Sequence, residues 1–570
     1  MTVIYNDPAD FADDQFAGFL DLYSDRLVGV PGGTVGFRSG EPIVVVIVGG
    51  GSGHYPAFCG LVGPGFASGA VVGNVFTSPS AAHVYSVAKA AEQGRGVVLT
   101  FGNYAGDVMN FGIAAERLRS EGIDTRIVLV TDDVASAADP TGRRGIAGDF
   151  AVFKALGAAA AQGLDIDEVE RIGRAANDAT RSFGVAFSGC TMPGASGPLF
   201  AVPEGKMGVG LGIHGEPGIR DIAVTDARAL AAMLVTPLLE ERPRTGSSRV
   251  AVIVNGLGTT KYEELFLLWS EIAPLLRAAG LEPVAPEVGE LVTSLDMGGC
   301  SLTLMWLDGE LERMWQADAY TPAYRKQHST LLALRPVDLV AESSAAVEMP
   351  WASDAARQLS PAVASALHAV EAELREHEEE LGRIDAVAGD GDHGRGMLKG
   401  AAAAAGSADA GADGGPGWML IRAGRAWAAA AGGTSGVLWG AGLESAGRSL
   451  RDDREKYTLS NAVDAVDAFV DAIVGLGRAE LGDKTLVDAL VPFASSLRQQ
   501  SDDGCDLTTA WHRAALAAGE AAAETTWLSP KKGRARPLAE RSVGTPDAGA
   551  TSFSLIVSTI GELLVPQERK

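Results

Sequence analysis

The hydrophobic pattern of this chain changes once along its length, and that change constrains the fold more than any other feature. Up to about residue 340, short β-branched runs alternate with helical stretches, which is typical of α/β layers. Beyond Ala352 the strand pattern fades and Ala-rich amphipathic stretches follow one another, which predicts an all-α domain. We therefore predict an α/β module over residues 1–340, a linker over 341–353 and an all-helical domain over 354–570.

The period of the apolar residues also predicts the individual elements. In the first part, a polar segment at 236–248 predicts a seam between two α/β subdomains. The predicted strands are Ile43–Val48, Gly96–Phe101, Arg126–Thr131, Val250–Asn255 and Ser301–Leu307. The predicted helices are Ser80–Gln93, Phe111–Glu121 and Glu263–Ala279, then Pro361–Leu381, Met419–Ala431, Asn461–Val474, Lys484–Gln499 and Leu507–Trp527.

Charge and cysteine content exclude several classes of partner. A net charge of −25 argues against nucleic acid or an anionic membrane surface as the main partner. The four cysteines are far apart and show no CxxC spacing, which is typical of reduced thiols in a cytoplasmic protein without structural zinc. The N-terminal segment lacks signal-peptide features, and no apolar run approaches the ~20 residues that a bilayer requires. We therefore predict a soluble cytoplasmic protein with neither nucleic acid nor a membrane as its partner.

Residues 385–394 place three aspartates around a turn of small residues. The like charges of Asp385, Asp390 and Asp392 repel one another, and a bound divalent cation would relieve that repulsion. Hard oxygen ligands without a nearby cysteine favour Mg²⁺ over Zn²⁺. The alternative interpretation is a solvated acidic loop, because charge runs are usually only solvated.

A second glycine turn, AGGTSG at 431–436, predicts a phosphate-binding site. Gly432 and Gly433 offer backbone N–H groups, and Thr434 and Ser435 add hydroxyls, at a helix N-terminus where the dipole favours an anion. Helix capping alone would explain the two hydroxyl residues, but it would not explain the aspartates as well. A magnesium cluster together with a phosphate site indicates phosphoryl transfer.

Two common nucleotide motifs are excluded. The segment GRAELGDKT at 477–485 differs from a P-loop because Asp483 is inserted before the lysine and no strand leads into it. The run GGGSGH at Gly49–His54 fails the dinucleotide fingerprint, because His54 or Pro56 occupies the third glycine position. A nicotinamide or flavin site is therefore not expected in the α/β half.

Three polar side chains in glycine-rich segments of the α/β half predict a small-molecule site instead. His54 ends the glycine run after an apolar strand, Asp107 follows the strand that ends at Phe101, and His214 lies in the turn GIHGEPG. An Asp and a His together can deprotonate a hydroxyl, and a second His can act as a nucleophile toward a carbonyl. The alternative is that the histidines are structural, as a single histidine more often is.

Taken together, these motifs resemble the ATP-dependent, single-chain dihydroxyacetone kinase family, in the family's order and over nearly the whole chain. The first half is similar to the family's substrate-binding module and the second half to its nucleotide-binding module. The substrate-module motifs are GGGSGH at Gly49–His54, GDVMNF at Gly106–Phe111, GRRGIAG at Gly142–Gly148, GIHGEPG at Gly212–Gly218 and VNGLGTT at Val254–Thr260. The nucleotide-module motifs are GDGDHG at 389–394, GGTSG at 432–436, GDKT at 482–485, GRAR followed by ERSVG at 533–544, and PDAGATS at 546–552.

For the substrate module, the resemblance implies catalysis by His54, Asp107 and His214. His214 would hold a small ketose as a covalent hemiaminal, which selects carbonyl sugars against glycerol. Asp107 would act as general base on the terminal hydroxyl, with His54 assisting. The implied substrate-binding residues are these three together with Gly51, Ser52 and Gly53.

For the nucleotide module, the resemblance implies Mg²⁺ ions on the three aspartates, bridging the phosphates of ATP. It also implies a two-part α/β module, a barrel of antiparallel helices and assembly as a homodimer. Fusion of both modules in one chain favours ATP over a phosphoprotein as the donor. The implied nucleotide-binding residues are His393, Gly394, Thr434, Ser435, Arg534, Asp547 and Gly549.

The chain departs from the common family pattern beside the first histidine, where GHEPAHAG is replaced by GHYPAFCG with Tyr55, Phe58 and Cys59. Loss of a carboxylate and an imidazole should alter how substrate hydroxyls are recognised. Such variants resemble the branch that acts on four-carbon ketoses, so we predict a kinase of a ketose such as erythrulose. The alternatives are a dihydroxyacetone or glyceraldehyde kinase, a non-catalytic ketose-sensing regulator, and a lyase that forms a cyclic nucleotide from a flavin dinucleotide.

Overall fold

The computed structural model describes residues 2–36, 40–243, 247–327, 349–409, 414–532, 536 and 539–565. The chain divides into two compact units, Met1–Leu334 and Arg335–Lys570. Among the described residues, the first unit contains β-sheets flanked by helices and the second contains helices only. The predicted fold class, α/β plus all-α, is therefore confirmed. Residues 244–246 of the predicted seam and residues 341–348 of the predicted linker lie outside the described residues.

Strands and helices alternate over much of the first unit. Its strands are β1 (Val28–Val30), β2 (Gly33–Val35), β3 (Val45–Ser52), β4 (Gly69–Val75), β5 (Val97–Gly102), β6 (Thr125–Val130), β7 (Thr180–Ser188), β8 (Lys206–Val209), β9 (Arg220–Ala223), β10 (Arg249–Gly256), β11 (Glu282–Pro283), β12 (Glu287–Gly289), β13 (Gly298–Trp306), β14 (Ala319–Tyr320) and β15 (Arg325–Lys326). Its helices are α1 (Phe11–Leu22), α2 (Ala81–Ala91), α3 (Ala105–Ser120), α4 (Gly148–Ala161), α5 (Ile166–Asp178), α6 (Ala227–Glu240), α7 (Tyr262–Ala278) and α8 (Gly309–Gln316).

The first sheet has the strand order β1-β2-β4-β3-β5-β6. Its strands β4, β3, β5 and β6 pair in parallel, with Ile47 of β3 opposite Gly69 on one side and Leu99 on the other. β3 and β5 are buried along almost their whole length, which is why their sequences are apolar runs without alternation. Because parallel strands end at the same edge of a sheet, the segments that follow β3, β4 and β5 meet there.

The second sheet has the order β11-β10-β13-β7-β8-β9, with β12 also pairing with β10. Its long strands pair in antiparallel fashion, so it is not a second parallel layer. β7, β8 and β9 precede residue 236 and still share this sheet with β10 and β13. The predicted seam at 236–248 therefore does not separate the two sheets, whose division lies between β6 and β7. That segment instead spans the end of α6 and the connection from α6 to β10, which is a strand of the second sheet.

The second unit is built from helices joined by short turns. They are α9 (Asp354–Glu376), α10 (Glu378–Asp385), α11 (His393–Asp409), α12 (Pro416–Ala431), α13 (Gly433–Leu450), α14 (Leu459–Gly477), α15 (Val487–Asp502), α16 (Leu507–Glu524), α17 (Ala539–Ser542) and α18 (Ala548–Leu563). From α11 to α16 each helix packs against the next, α16 packs against α18, and α9 packs against both α18 and α11, which closes a ring. The ring surrounds an apolar cavity of about 500 Å³, in which Trp427 stacks on Trp439 with ring centroids 5.1 Å apart.

Several predicted helices begin at other residues than expected. α9 starts at Asp354, upstream of the predicted start at Pro361, because Ser353 caps it by accepting a hydrogen bond from the Ala356 N–H. α3 starts at Ala105 rather than Phe111, so Asp107 lies in a first helical turn and not in a glycine-rich loop. None of the described helices is long and apolar enough to cross a membrane.

Candidate active site

A cavity of about 280 Å³ lies in the first unit, where the carboxyl ends of β3, β4 and β5 face two loops of the second sheet. The lining combines glycines, apolar side chains and polar side chains. The polar lining residues are His54, Ser78, Tyr104, Asp107, Asp149 and His214, and the apolar ones are Phe58, Phe76, Ile213 and Val292. The three residues predicted to be catalytic are therefore brought together in one cavity, although they are far apart in the chain.

Glycines at the end of β3 allow the cavity to form. A Cβ at Gly50 would lie 2.6 Å from the Phe58 ring, and a Cβ at Gly51 would lie 2.6 Å from the backbone nitrogen of Thr77. Any side chain at these positions would displace the neighbouring segment, so the backbone itself forms the wall. Gly51 lines the cavity, as predicted for a substrate-binding residue, whereas Ser52 and Gly53 do not. The Ser52 hydroxyl donates to the Gly73 carbonyl at 2.6 Å.

His54 is buried and held from both sides. Its Nδ1 lies 2.7 Å from the backbone carbonyl of Thr293, in the loop between β12 and β13, and its ring stacks on Phe76 with centroids 5.1 Å apart. Burial lowers the pKa of His54 to about 3, and the neighbouring His214 imidazole acts in the same direction. His54 is therefore neutral, with its Nδ1–H donating to Thr293 and its Nε2 directed toward His214.

His214 lies in the connection between β8 and β9 and completes a histidine pair. The Nε2 atoms of His214 and His54 are 2.9 Å apart, and Nδ1 of His214 is 3.1 Å from a carboxylate oxygen of Glu216. The rings of Phe76 and Tyr104 meet the His214 ring edge-on, each with centroids 5.0 Å away. The imidazole is thus fixed in orientation, with Nδ1 at the Glu216 carboxylate and Nε2 at Nε2 of His54, which also lines the cavity.

Three residues that line the cavity each have a buried oxygen atom without a hydrogen-bond partner among the described residues: the Tyr104 hydroxyl, Oδ1 of Asp107 and Oδ1 of Asp149. Burial raises the pKa of all three groups, although a hydrogen bond from Ser78 opposes this at Asp107. Buried polar atoms are normally paired, so three such residues around one cavity are suited to a small ligand that carries several hydroxyl groups. A carboxylate with a raised pKa is also a better general base for a hydroxyl.

Of the three departures beside His54, only Phe58 lines the cavity, and Tyr55 and Cys59 do not. Phe58 lines the cavity and meets the His54 ring edge-on. Tyr55 is 46% exposed, packs against Phe19 and is not part of the cavity lining. Only the phenyl ring of Phe58 is therefore placed to contact a ligand in the cavity.

In the second unit, the three predicted metal ligands come together at the turn between α10 and α11. One carboxylate oxygen from each of Asp385, Asp390 and Asp392 lies within 4.8 Å of the others. Gly391 adopts a left-handed φ of 75°, and its N–H donates to Asp385 at 2.8 Å, which folds the turn around the cluster. An all-oxygen donor set fits Mg²⁺.

The predicted phosphate site lies at the start of α13. Gly432 and Gly433 both have positive φ, 59° and 58°, and the helix begins at Gly433 without a side-chain hydrogen bond from its N-cap residue. Thr434 is exposed and Ser435 is half-buried in the first turn. An uncapped N-terminus with adjacent hydroxyls is suited to bind a phosphate group.

The other predicted nucleotide residues have mixed positions. The His393 ring lies 3.0 Å from the Ser552 hydroxyl, and Asp547 caps α18 by accepting from the Ala550 N–H at 2.8 Å. Gly394 permits close packing, since a Cβ there would lie 2.0 Å from the Glu378 carbonyl oxygen, and a Cβ at Gly549 would lie 3.4 Å from Leu486. Arg534 lies outside the described residues.

Lys484 of the GDKT turn has a structural role. Its buried ammonium donates to the backbone carbonyls of Leu528, Ser542 and Thr545 at 3.1, 2.7 and 2.8 Å. Three carbonyl acceptors satisfy the three N–H donors of the ammonium group. Lys484 therefore stabilises the segment that leads into α18.

Sequence reasoning gave no role to Glu216, Tyr104 or Asp149, all of which reach the site. Glu216 is two residues from His214 in the same turn, a spacing that could have indicated contact. Asp149 directly follows the glycine motif that ends at Gly148, but its burial depends on the packing of α4 and has no local signature.

Comparison with known proteins identifies relatives over the full length. Residues 17–323 match the Dak1 domain and residues 387–562 match the DAK2 domain. The chain is 55% identical to the D-erythrulose kinase of Mycolicibacterium smegmatis, over 99% of this chain and 98% of that protein. It is 50% identical to the L-erythrulose kinase of Pectobacterium atrosepticum, over 99% and 97%. The crystal structure of the dihydroxyacetone kinase from C. freundii in complex with AMP-PNP and Mg²⁺ matches with a TM-score of 0.58 and 28% identity, over 98% and 99%.

Proposed function

The chain belongs to the dihydroxyacetone kinase family, and we propose that it is an ATP-dependent kinase that phosphorylates a terminal hydroxyl of a four-carbon ketose such as erythrulose. The observation that carries this proposal is the 55% identity, over 99% of the chain, to a D-erythrulose kinase. The cavity that joins His54, Asp107 and His214 supplies the chemical groups that the reaction requires. In this proposal the α/β module binds the ketose and the helical domain binds the nucleotide.

The ketose is held covalently in the proposed mechanism. Nε2 of His214 attacks the carbonyl carbon, the C=O π electrons move to the oxygen, and that oxygen takes up a proton delivered through His54, which fixes the substrate as a hemiaminal. Asp107 accepts the proton of the terminal hydroxyl as that oxygen attacks phosphorus, and its buried, partnerless Oδ1 supports this role. Tyr104 and Asp149 are available to pair with the other substrate hydroxyls.

Magnesium–ATP is the proposed phosphoryl donor, supported by the family relative whose crystal structure contains AMP-PNP and Mg²⁺. Asp385, Asp390 and Asp392 would hold Mg²⁺, which when bound neutralises phosphate charge. The N-terminus of α13, with Thr434 and Ser435, would bind phosphate oxygens. His393, Arg534 and Asp547 are proposed to lie around the nucleotide, with Gly394 and Gly549 shaping the backbone there.

Phe58 is proposed to favour the four-carbon substrate, because its ring gives the cavity an apolar surface where relatives commonly carry an imidazole. We expect Phe58→His to lower the ratio of kcat/KM for erythrulose to that for dihydroxyacetone by about tenfold or more, the usual effect of changing one pocket contact. Tyr55→Phe is the matched control, since Tyr55 does not line the cavity, and it should leave the ratio unchanged. Steady-state ADP release with both ketoses measures the ratio, and an equal shift in both variants would contradict this role.

A substrate panel tests the proposed function directly. We expect ADP release with Mg²⁺–ATP to be fastest with one erythrulose enantiomer, slower with dihydroxyacetone and D-glyceraldehyde, and absent with glycerol, which has no carbonyl. Both enantiomers are needed because the two kinases compared above differ in stereochemistry. A preference for dihydroxyacetone would favour the alternative kinase, and no turnover with any ketose would favour the ketose-sensing regulator. FAD with Mn²⁺ in the same panel tests the lyase alternative.

We further propose a cytoplasmic homodimer. Free cysteines support a reducing compartment: Cys59, Cys190, Cys300 and Cys505 form no disulfide. Light scattering after gel filtration distinguishes a dimer from a monomer.

A further inference from the structure

We propose that Glu216 is a positioning residue that keeps His214 as an imidazolium in the ketose-free enzyme and balances the charge of the covalent adduct. This inference rests on the proposed function, because it concerns the same nucleophile. The contacts of the two imidazole rings indicate this role for Glu216.

Glu216 contacts His214 through both of its carboxylate oxygens. One carboxylate oxygen lies 3.1 Å from Nδ1 of His214, and the other accepts the backbone N–H of His214 at 3.0 Å. Behind it, Arg144 approaches the second oxygen at 3.7 Å and pairs with Asp133 at 2.8 Å. Gly212 makes room for this arrangement, since a Cβ there would lie 2.1 Å from the carboxylate.

The contacts of the two rings require three protons on four nitrogens. Nδ1 of His54 faces the Thr293 carbonyl at 2.7 Å, and a carbonyl oxygen can only accept, so this nitrogen carries a proton. Nδ1 of His214 faces a carboxylate and carries a proton for the same reason. The two Nε2 atoms are 2.9 Å apart, and two lone pairs cannot face each other at that distance, so one proton lies between them. The histidine pair therefore carries one positive charge.

That charge belongs on His214. His54 is buried and has no carboxylate contact among the described residues, and burial lowers its pKa to about 3, whereas His214 contacts the Glu216 carboxylate. Burial acts to raise the pKa of Glu216, but its hydrogen bond with His214 lowers it to about 2, so Glu216 is a carboxylate. The resting arrangement is thus Glu216 carboxylate, His214 imidazolium and neutral His54.

Attack on the ketose then proceeds with all protons accounted for. Nε2 of His214 passes its proton to Nε2 of His54 and uses the freed lone pair to form the N–C bond, while the C=O π electrons move to oxygen. His54, which is a strong acid once protonated, gives the proton to that oxygen and returns to its neutral state. The product is an N-alkylated imidazolium with a protonated Nδ1, and its positive charge remains beside the Glu216 carboxylate throughout.

Glu216→Gln tests this inference, because it keeps the size of the side chain and one of its two acceptor oxygens but removes its charge. The population of the hemiaminal is measured by NMR with [2-¹³C]dihydroxyacetone, whose C2 signal moves from the carbonyl region to that of a tetrahedral carbon. We expect the ketose concentration for half-maximal adduct to rise about 10- to 100-fold, as for loss of a charged hydrogen-bond partner. We expect the KM for ATP to stay unchanged. Glu216→Asp should recover part of the loss, and Glu121→Gln, at a carboxylate paired with Lys89, is the matched control.

A second measurement reports the charge of the His214 imidazole. In ¹⁵N-histidine-labelled enzyme without ketose, both ring nitrogens of His214 should give protonated signals in the wild type and those of a neutral imidazole in Glu216→Gln. Unchanged adduct affinity together with an unchanged imidazolium signal would overturn the role of Glu216 while the hemiaminal stands. No adduct on the wild-type enzyme would overturn the hemiaminal itself, and this inference with it. If Glu216→Gln fails to fold, loss of the imidazolium signal in folded Glu216→Asp would equally contradict the role of the carboxylate.

Discussion

His214→Ala is expected to lower kcat/KM for the ketose by about 10³-fold or more, because removal of a covalent nucleophile eliminates the bound intermediate on which the chemistry depends. The substitution leaves the wall of the cavity in place, and Glu216 retains its contact with Arg144 at 3.7 Å, so the fold should be preserved. Nucleotide binding should be unaffected, since the metal and phosphate sites belong to the second unit.

Three measurements separate the effects of His214→Ala. ADP release gives kcat/KM, the C2 signal of labelled ketose reports the adduct, and calorimetric titration with AMP-PNP and Mg²⁺ reports nucleotide affinity. His83→Ala is the control, because this exposed histidine on α2 lies outside the cavity lining. Unchanged ketose affinity in His214→Ala would count against covalent capture, whatever the effect on turnover.

The strands of the parallel sheet could be predicted because burial on both faces leaves a local signature. The prediction Gly96–Phe101 matches β5 to within one residue at each end, whereas Ile43–Val48 covers only the apolar first half of β3, which continues through three glycines to Ser52. The second sheet was less predictable, since its strand β7 mixes polar and apolar residues and pairs with β13, far along the chain, as well as with the next strand, β8. Strand order of this kind depends on non-local pairing, which no window of sequence contains.

The glycine-rich helix α13 shows why intrinsic helix propensity does not predict a helix whose backbone packs closely against a neighbouring helix. Its glycines lower the intrinsic helix propensity, so no helix was predicted over 433–450. In the structure these glycines face glycines of α12. A Cβ at Gly440 would lie 2.8 Å from the Gly424 carbonyl oxygen, and one at Gly447 would lie 2.4 Å from that of Gly417. The same residues that weaken the isolated helix therefore permit the close crossing of α12 and α13.

The clustering of site residues could be predicted where one short motif contains all of them. It could not be predicted where it depends on the packing of distant segments. Asp385, Asp390 and Asp392 lie within one turn, and their clustering followed from spacing alone. His54 and His214 are separated by 160 residues. The loop after β12 contacts His54 at the end of β3, and His54 in turn contacts His214 in the β8–β9 connection. Their assigned roles remain predictions until the substitutions are made.

Asp390→Asn is expected to lower phosphoryl transfer by about 10³-fold or more at ordinary Mg²⁺ concentrations, because metal coordination contributes several kcal/mol to such reactions. The amide keeps the size of the side chain but removes one of three negative charges that converge within 4.8 Å. Affinity for a hard divalent cation falls with that charge, so the Mg²⁺ concentration for half-maximal activity should rise. Ketose capture should persist, since the histidine pair lies in the first unit.

The measurement for Asp390→Asn is ADP release across a Mg²⁺ titration, with the labelled-ketose signal recorded on the same samples. Asp409→Asn is the matched control, because Asp409 is an exposed aspartate at the far end of α11 that contacts His368 and not the cluster. Full activity of Asp390→Asn with an unchanged Mg²⁺ requirement would exclude Asp390 as a metal ligand. A variant that still forms the ketose adduct but cannot transfer phosphate would instead show that ketose capture and phosphoryl transfer depend on different residues. That outcome would support the proposal that the α/β module binds the ketose and the helical domain binds the nucleotide.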